Sequence, residues 1–132
     1  MFEYAVRLKK GDDLKEKIET ICLEKSFDTV VVLSAVGCLE KINLRLAGAR
    51  SYRIVEEDGE IVSLNGTIAK GEAHLHLSYS NDEGQCFGGH LKKGCIVNTT
   101  VELVLGILEA YESVREYDPA TAYNEIVFKK RG

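Results

Sequence analysis

Apolar and polar residues alternate with a period of two along most of this chain, and one stretch shifts to helical spacing. Phe2, Tyr4, Val6 and Leu8 stand against Glu3, Ala5 and Arg7, which predicts a first strand. Lys9-Lys10-Gly11 breaks it. Asp13 with Glu16 three residues on fits a carboxylate version of the capping box, and Leu14, Ile18, Ile21 and Cys22 or Lys25 follow on one face. That apolar stripe needs a sheet to lie on. Residues 29–36 are β-branched and almost continuously apolar, so they read as a strand covered on both faces, with Gly37 turning the chain. Ile42, Leu44 and Leu46 then alternate with Lys41, Asn43 and Arg45 as a half-exposed strand, and residues 51–56 look like another. Asp58-Gly59 is the strongest hairpin signal, with residues 60–69 expected to pair back and Gly66 to mark a bulge.

Residues 72–80 give the clearest alternation. Ala73, Leu75, Leu77 and Tyr79 face one way, while Glu72, His74, His76 and Ser78 face the other. One side is core and the other carries chemistry or contacts. Residues 101–108 fit a strand through Val101, Leu103, Leu105 and Ile107, and a helix through Val101, Val104, Leu105 and Leu108; periodicity does not decide between them. Residues 124–129 end the chain as a short alternating strand.

The chain has three histidines, and all fall in His74-Leu75-His76 and Gly88-Gly89-His90-Leu91. Two residues apart on a strand, His74 and His76 project side by side with roughly 6.5–7 Å between Cα atoms. The turn expected at Asn81-Asp82-Glu83-Gly84 folds His90 back beside them, and the glycine pair before it leaves room for a close approach. Three neutral imidazoles without an evident fourth protein ligand suit an open divalent site better than a closed structural one. Polar surface histidines are the alternative.

Composition narrows the class. With 132 residues, 45% hydrophobic and 29% charged, the chain has the profile of one folded domain, residues 1–132. No apolar run has the length of a membrane span, and Met1-Phe2-Glu3-Tyr4 lacks the order of a signal peptide, so a cytoplasmic protein away from membranes is expected. Cys22, Cys38, Cys86 and Cys95 form no C-x-x-C pair and read mostly as buried, inert thiols, with Cys86 a less favoured fourth ligand. The net charge of −4 counts against unassisted duplex binding, although basic residues gather at Arg45, Arg50 and Arg53, at Lys92-Lys93, and at Lys129-Lys130-Arg131.

Arg7-Leu8-Lys9-Lys10-Gly11-Asp12-Asp13-Leu14, Val32 to Gly37, and Ile42-Asn43-Leu44-Arg45 resemble the opening of the PPC (plants and prokaryotes conserved) domain in its stand-alone prokaryotic form. Leu64 to Ile68, His74-Leu75-His76, Gly88 to Leu91, and Glu102 after Thr99-Thr100 continue the match over nearly the whole chain. The resemblance implies an α/β domain of α+β type. It would have a largely antiparallel mixed sheet, one flanking N-terminal helix and a homotrimeric assembly, and it favours the strand reading of residues 101–108. Two departures are visible. Ala73 replaces a proline often seen before the first histidine, and Thr121-Ala122 replaces a Thr-Gly pair, so the final turn is expected to differ.

Functionally the resemblance implies a DNA-binding or regulatory homotrimer, here with a metal site at His74, His76 and His90 for a divalent ion, zinc first. The plant members read DNA through an Arg-Gly-Arg-Pro hook, and this chain contains none. The fold is also similar to that of acetolactate decarboxylase, which holds zinc on a His-x-His pair and a third histidine. The alternative is therefore a metal-dependent lyase or hydrolase acting on a small carbonyl or carboxylate compound, the ion serving as Lewis acid or activating water. Glu72 and Glu102 are the candidate catalytic carboxylates. Arg7 is a candidate partner for Glu102 or for an anionic ligand.

Overall fold

The period-two pattern becomes nine strands, and the helical spacing one helix. The computed structural model describes residues 1–132. In chain order the elements are β1 (Phe2–Lys9), α1 (Leu14–Glu24), β2 (Thr29–Arg45), β3 (Tyr52–Val55), β4 (Gly59–Ala69), β5 (Glu72–Ser80), β6 (Cys86–Leu91), β7 (Ile96–Ile107), β8 (Tyr111–Asp118) and β9 (Tyr123–Lys130). The large sheet runs β1-β7-β2-β4-β5-β6, with β3 added beside β2. Every pairing is antiparallel. At its far end β6 returns to the last residues of β2, closing β2, β4, β5 and β6 into a ring of strands.

Helix α1 starts where its cap signal placed it. The Asp13 side chain accepts the Glu16 N–H at 3.0 Å and the Gly94 N–H at 2.7 Å, tying the helix start to the loop before β7. Leu14, Ile18, Ile21 and Cys22 are buried against the sheet, and each fully buried Leu or Ile stabilises the fold by roughly 1.5–3 kcal/mol. They join Leu8, Leu75, Leu77, Tyr79, Val101, Leu103 and Leu105 in one continuous core. Residues 96–107 form a strand, as the family resemblance implied, with Val101, Leu103 and Leu105 inward and Glu102 outward.

Four expectations are corrected. Gly37 does not turn the chain: β2 continues for 17 residues and absorbs irregularities at Val32/Ser34, Gly37/Cys38 and Leu39/Lys41. Gly37, at φ 151°, passes so close to the Thr100 carbonyl that no side chain fits there. Nor is the first half of β2 covered on both faces within the chain, because Leu33 and Val36 remain about half exposed. Asp58-Gly59 closes no β3–β4 hairpin; β3 pairs only with β2, while β4 lies between β2 and β5. The glycine is needed there because the Tyr79 ring occupies the space a Cβ would take, 2.5 Å away. The tight hairpin is instead Lys70-Gly71 between β4 and β5, with φ of 48° and 83°, the signs a type I′ turn requires.

Gly66 marks no bulge. The register shift in β4 falls between Ile61 and Ser63, and Gly66 pairs in register with Leu75. Its φ is 143°, and its bare Cα lets β4 press against the His74 carbonyl. After β7 the chain adds the hairpin β8–β9, whose first strand the hydrophobic pattern does not reveal. Polar contacts fix it: the Thr29 and Ser113 hydroxyls hydrogen-bond in a buried pair, and Arg131 reaches Asp28 at 2.9 Å. No helix is long and apolar enough to cross a membrane.

Candidate metal centre

Strand alternation puts His74 and His76 on the outward face of β5, with Ala73, Leu75, Leu77 and Tyr79 buried beneath them. Asn81 then builds the turn that brings the third histidine back. Its side-chain oxygen accepts the N–H groups of Glu83 at 3.1 Å and Gln85 at 2.9 Å, and Gly84 takes φ 76°. β6 therefore runs antiparallel to β5 in a register that sets His90 directly opposite His76. Directly opposed residues share a face, so the three imidazoles gather on one surface. Their ring centroids lie 5.3–5.7 Å apart. One ligand atom from each falls within 4.8 Å of the others.

The surrounding glycines keep these strands close. A Cβ on Gly89 would sit 2.7 Å from the Arg45 carbonyl oxygen and 3.2 Å from the Leu44 Cβ. What approaches the glycine pair is thus, at Gly89, the backbone of β2. Gly88 borders the open cavity of about 580 Å³ above the histidines. Arg45, the loop from Leu46 to Ala49 and Tyr123 at the start of β9 complete its wall.

Electrostatics favour the ligand form of His90. Burial, then the Arg45 guanidinium and the two neighbouring histidines, with Lys92 last, push its pKa down to about 4. At neutral pH it is an uncharged imidazole with a free lone pair.

The donor set suits an ion of the zinc class. Imidazole nitrogens favour zinc, copper, nickel and iron over magnesium or calcium, which prefer oxygen. Four-coordinate zinc at 2.0–2.1 Å needs its nitrogens about 3.3–3.4 Å apart, so the widest pair would draw in by about 1.4 Å. His74 and His76 are exposed enough to make that adjustment by side-chain rotation. No Cys, Asp or Glu joins the cluster, which leaves coordination positions open.

The other sequence candidates lie elsewhere. Glu72 shares the histidine face but engages Arg115, whose Nε is 3.2 Å away, an ion pair without hydrogen-bond geometry. Glu102 sits on β7 opposite Arg7, exposed and outside the cavity. Cys86 is exposed and does not reach the imidazoles, whereas Cys22 and Cys95 are buried thiols raised to about 11, chiefly by that burial. Arg45 and Tyr123 line the cavity, and sequence reading did not place them there. Arg45 had a usable signal, because it occupies the outward phase of a half-exposed strand. Tyr123 had none.

A closed antiparallel sheet with a flanking helix and an outward three-histidine cluster defines a small α+β domain with an open imidazole site. Residues 1–109 match the Plants and Prokaryotes Conserved (PCC) domain, and the chain belongs to that family. A curated bifunctional GlmU protein from Synechococcus sp. (strain JA-2-3B'a(2-13)) is 40% identical over 123 residues, covering 93% of this chain and 20% of that protein. The chain thus spans about a fifth of the length of the curated relatives it matches. A hypothetical protein from Salmonella enterica superposes with a TM-score of 0.94 at 32% identity, covering 98% of this chain and 94% of the other. A metal-containing protein from Archaeoglobus fulgidus shares the fold with a TM-score of 0.79 at 24% identity, covering 100% of this chain and 94% of that one.

Proposed function

We propose that this PPC-domain chain binds one divalent ion, zinc first among the candidates, through His74, His76 and His90, and presents it to a small-molecule ligand. The observation that carries this reading is the register match of His76 with His90, which sets the third imidazole beside the H-x-H pair. Such an ion would supply Lewis acidity toward a carbonyl or carboxylate. The chain's own part is to hold three imidazole donors, to keep β4 against β5 through Gly66 and β6 against β2 through Gly89, and to wall the cavity with Arg45 and Tyr123. A lyase or hydrolase acting on a small carbonyl compound is the enzymatic form of this reading. Glu72, on the same face of β5 as His74 and His76, would be its candidate carboxylate once released from Arg115.

The test is elemental analysis of untagged protein beside His74→Ala and His90→Ala. About one ion per chain in the parent, lost in both folded variants, supports the site. A parent that stays metal-free after incubation with zinc, nickel or manganese removes it.

A DNA-binding or regulatory homotrimer is the second reading, favoured by free cations: Arg45 and Lys92 act on His90, and they, with Arg50 and Lys93, make no ion pair within the chain. Weighing against it, the net charge is −4. Arg53, Lys129 and Arg131 are already engaged by Glu57, Glu116 and Asp28. Retention of random duplex at low salt, lost steeply as salt rises, would support it; no retention at any salt would exclude it. Sedimentation of the purified chain tests the trimer.

A further inference from the structure

Asn65, His76, His90, Arg45 and Tyr52 stand directly opposite one another on β4, β5, β6, β2 and β3. One row of outward side chains therefore crosses five strands, and Arg45 is the immediate neighbour of His90 in it. Facing Cα atoms of an antiparallel pair lie about 4.5–5.5 Å apart, so a side chain as long as arginine spans the gap to the histidines with length to spare.

Three arginines elsewhere in the fold are engaged by carboxylates: Arg53 by Glu57, Arg115 by Glu72, and Arg131 by Asp28. Arg45 has no such partner. Arg7 and Arg50 are also unpaired, but both are exposed and neither lines the cavity. The cavity wall contains no Asp or Glu at all. With a divalent ion on the histidines it would carry three formal positive charges, two from the ion and one from Arg45, with no negative group facing them. Such a cavity demands an anion.

We propose that the cavity takes a small oxyanion, a carboxylate or a phosphate, with one oxygen toward the ion and the Arg45 guanidinium held against the anion's oxygens. This rests on the metal-binding reading above and adds the charge and shape of the ligand to it. The planar fork of arginine pairs with two oxygens of one carboxylate or phosphate through parallel hydrogen bonds. The bare backbone at Gly88, which lines the cavity, leaves space beside His90 for the ligand body.

The experiment uses cobalt(II) as the spectroscopic ion on the full chain, titrated with acetate, inorganic phosphate and acetamide as the uncharged counterpart of acetate. Wild type, Arg45→Gln and Arg50→Gln are compared. All three should load cobalt to the same stoichiometry, about one ion per chain, and circular dichroism confirms the fold. In wild type, acetate or phosphate should perturb the cobalt bands while acetamide does not, and the tighter of the two assigns the source of the oxyanion. In Arg45→Gln that binding should weaken roughly 10- to 100-fold, and in Arg50→Gln it should not change. Cobalt-loaded Arg45→Gln that binds the anions as tightly as wild type overturns the Arg45 assignment and leaves the metal site standing. Acetamide binding as tightly as acetate overturns the anion requirement. Failure of wild type to take up cobalt overturns both readings.

Discussion

Substituting Gly66 by alanine tests how the fold positions the site. Gly66 lies on β4 opposite Leu75, at φ 143°. An added Cβ would overlap the His74 carbonyl oxygen and lie 3.0 Å from both the His74 carbonyl carbon and the Leu75 Cα. Two costs follow. Holding alanine at that φ costs roughly 1–3 kcal/mol, and relieving the overlap by moving backbone costs roughly another 1–3 kcal/mol. The expected loss of stability is about 2–6 kcal/mol. Gly48→Ala is the matched control, because Gly48 also has positive φ, 88°, with nothing within 4 Å of the added Cβ. It suffers the backbone cost alone. Urea denaturation of both variants should therefore show Gly66→Ala as the less stable by roughly 1–3 kcal/mol. Because the displaced carbonyl belongs to His74, folded Gly66→Ala should also bind zinc more weakly than wild type by calorimetry. A difference between the two variants below about 0.5 kcal/mol would refute the close-approach account of this glycine.

Three further outcomes follow from particular residues. Ala122, in the β8–β9 turn, holds φ 65°, so Ala122→Gly should raise stability by about 0.5–1 kcal/mol in chemical denaturation; a loss would mean that the turn is not left-handed there. Thiol labelling at neutral pH should modify exposed Cys86 in the native protein and reach Cys22 and Cys95 only on unfolding. Equal native rates at Cys86 and Cys95 would contradict this. The Glu57 carboxyl, which accepts from Tyr79 Oη at 2.6 Å and from Arg53 at 2.8 Å, is held below its ordinary pKa by those two bonds. Its contribution is present above the ordinary carboxylate range and is lost as pH falls through the lowered value. The stability gap between wild type and Glu57→Gln should accordingly shrink as pH is lowered from 7 toward 3, and a constant gap would argue against the linkage.

The histidine strand was legible because β5 has one buried face and no bulge, so strict alternation survives from Glu72 to Ser80. β2 defeated the same reading. Its irregularities reset the phase, and Gly37, which looked like a turn, is a point where two backbones nearly touch. Asp58-Gly59 failed for a related reason: the glycine makes room for the Tyr79 ring, and its φ is not positive. β8 left little trace because only Ser113 of that strand is buried, and a hydroxyl pair carries no hydrophobic signal. Within the site, the H-x-H spacing and the Asn81 turn were readable locally. The outward phase of Arg45 was readable too, but its place beside His90 was not, since that depends on the return of β6 to β2, a long-range pairing that no local pattern encodes.

The most direct measurement is anomalous diffraction at the zinc edge from crystals of the full chain grown with zinc. One strong peak is expected about 2.0–2.1 Å from a nitrogen of each of His74, His76 and His90. No peak there, or peaks confined to the carboxylates of Asp58, Glu60 and Asp82 around another cavity, would contradict the three-histidine site.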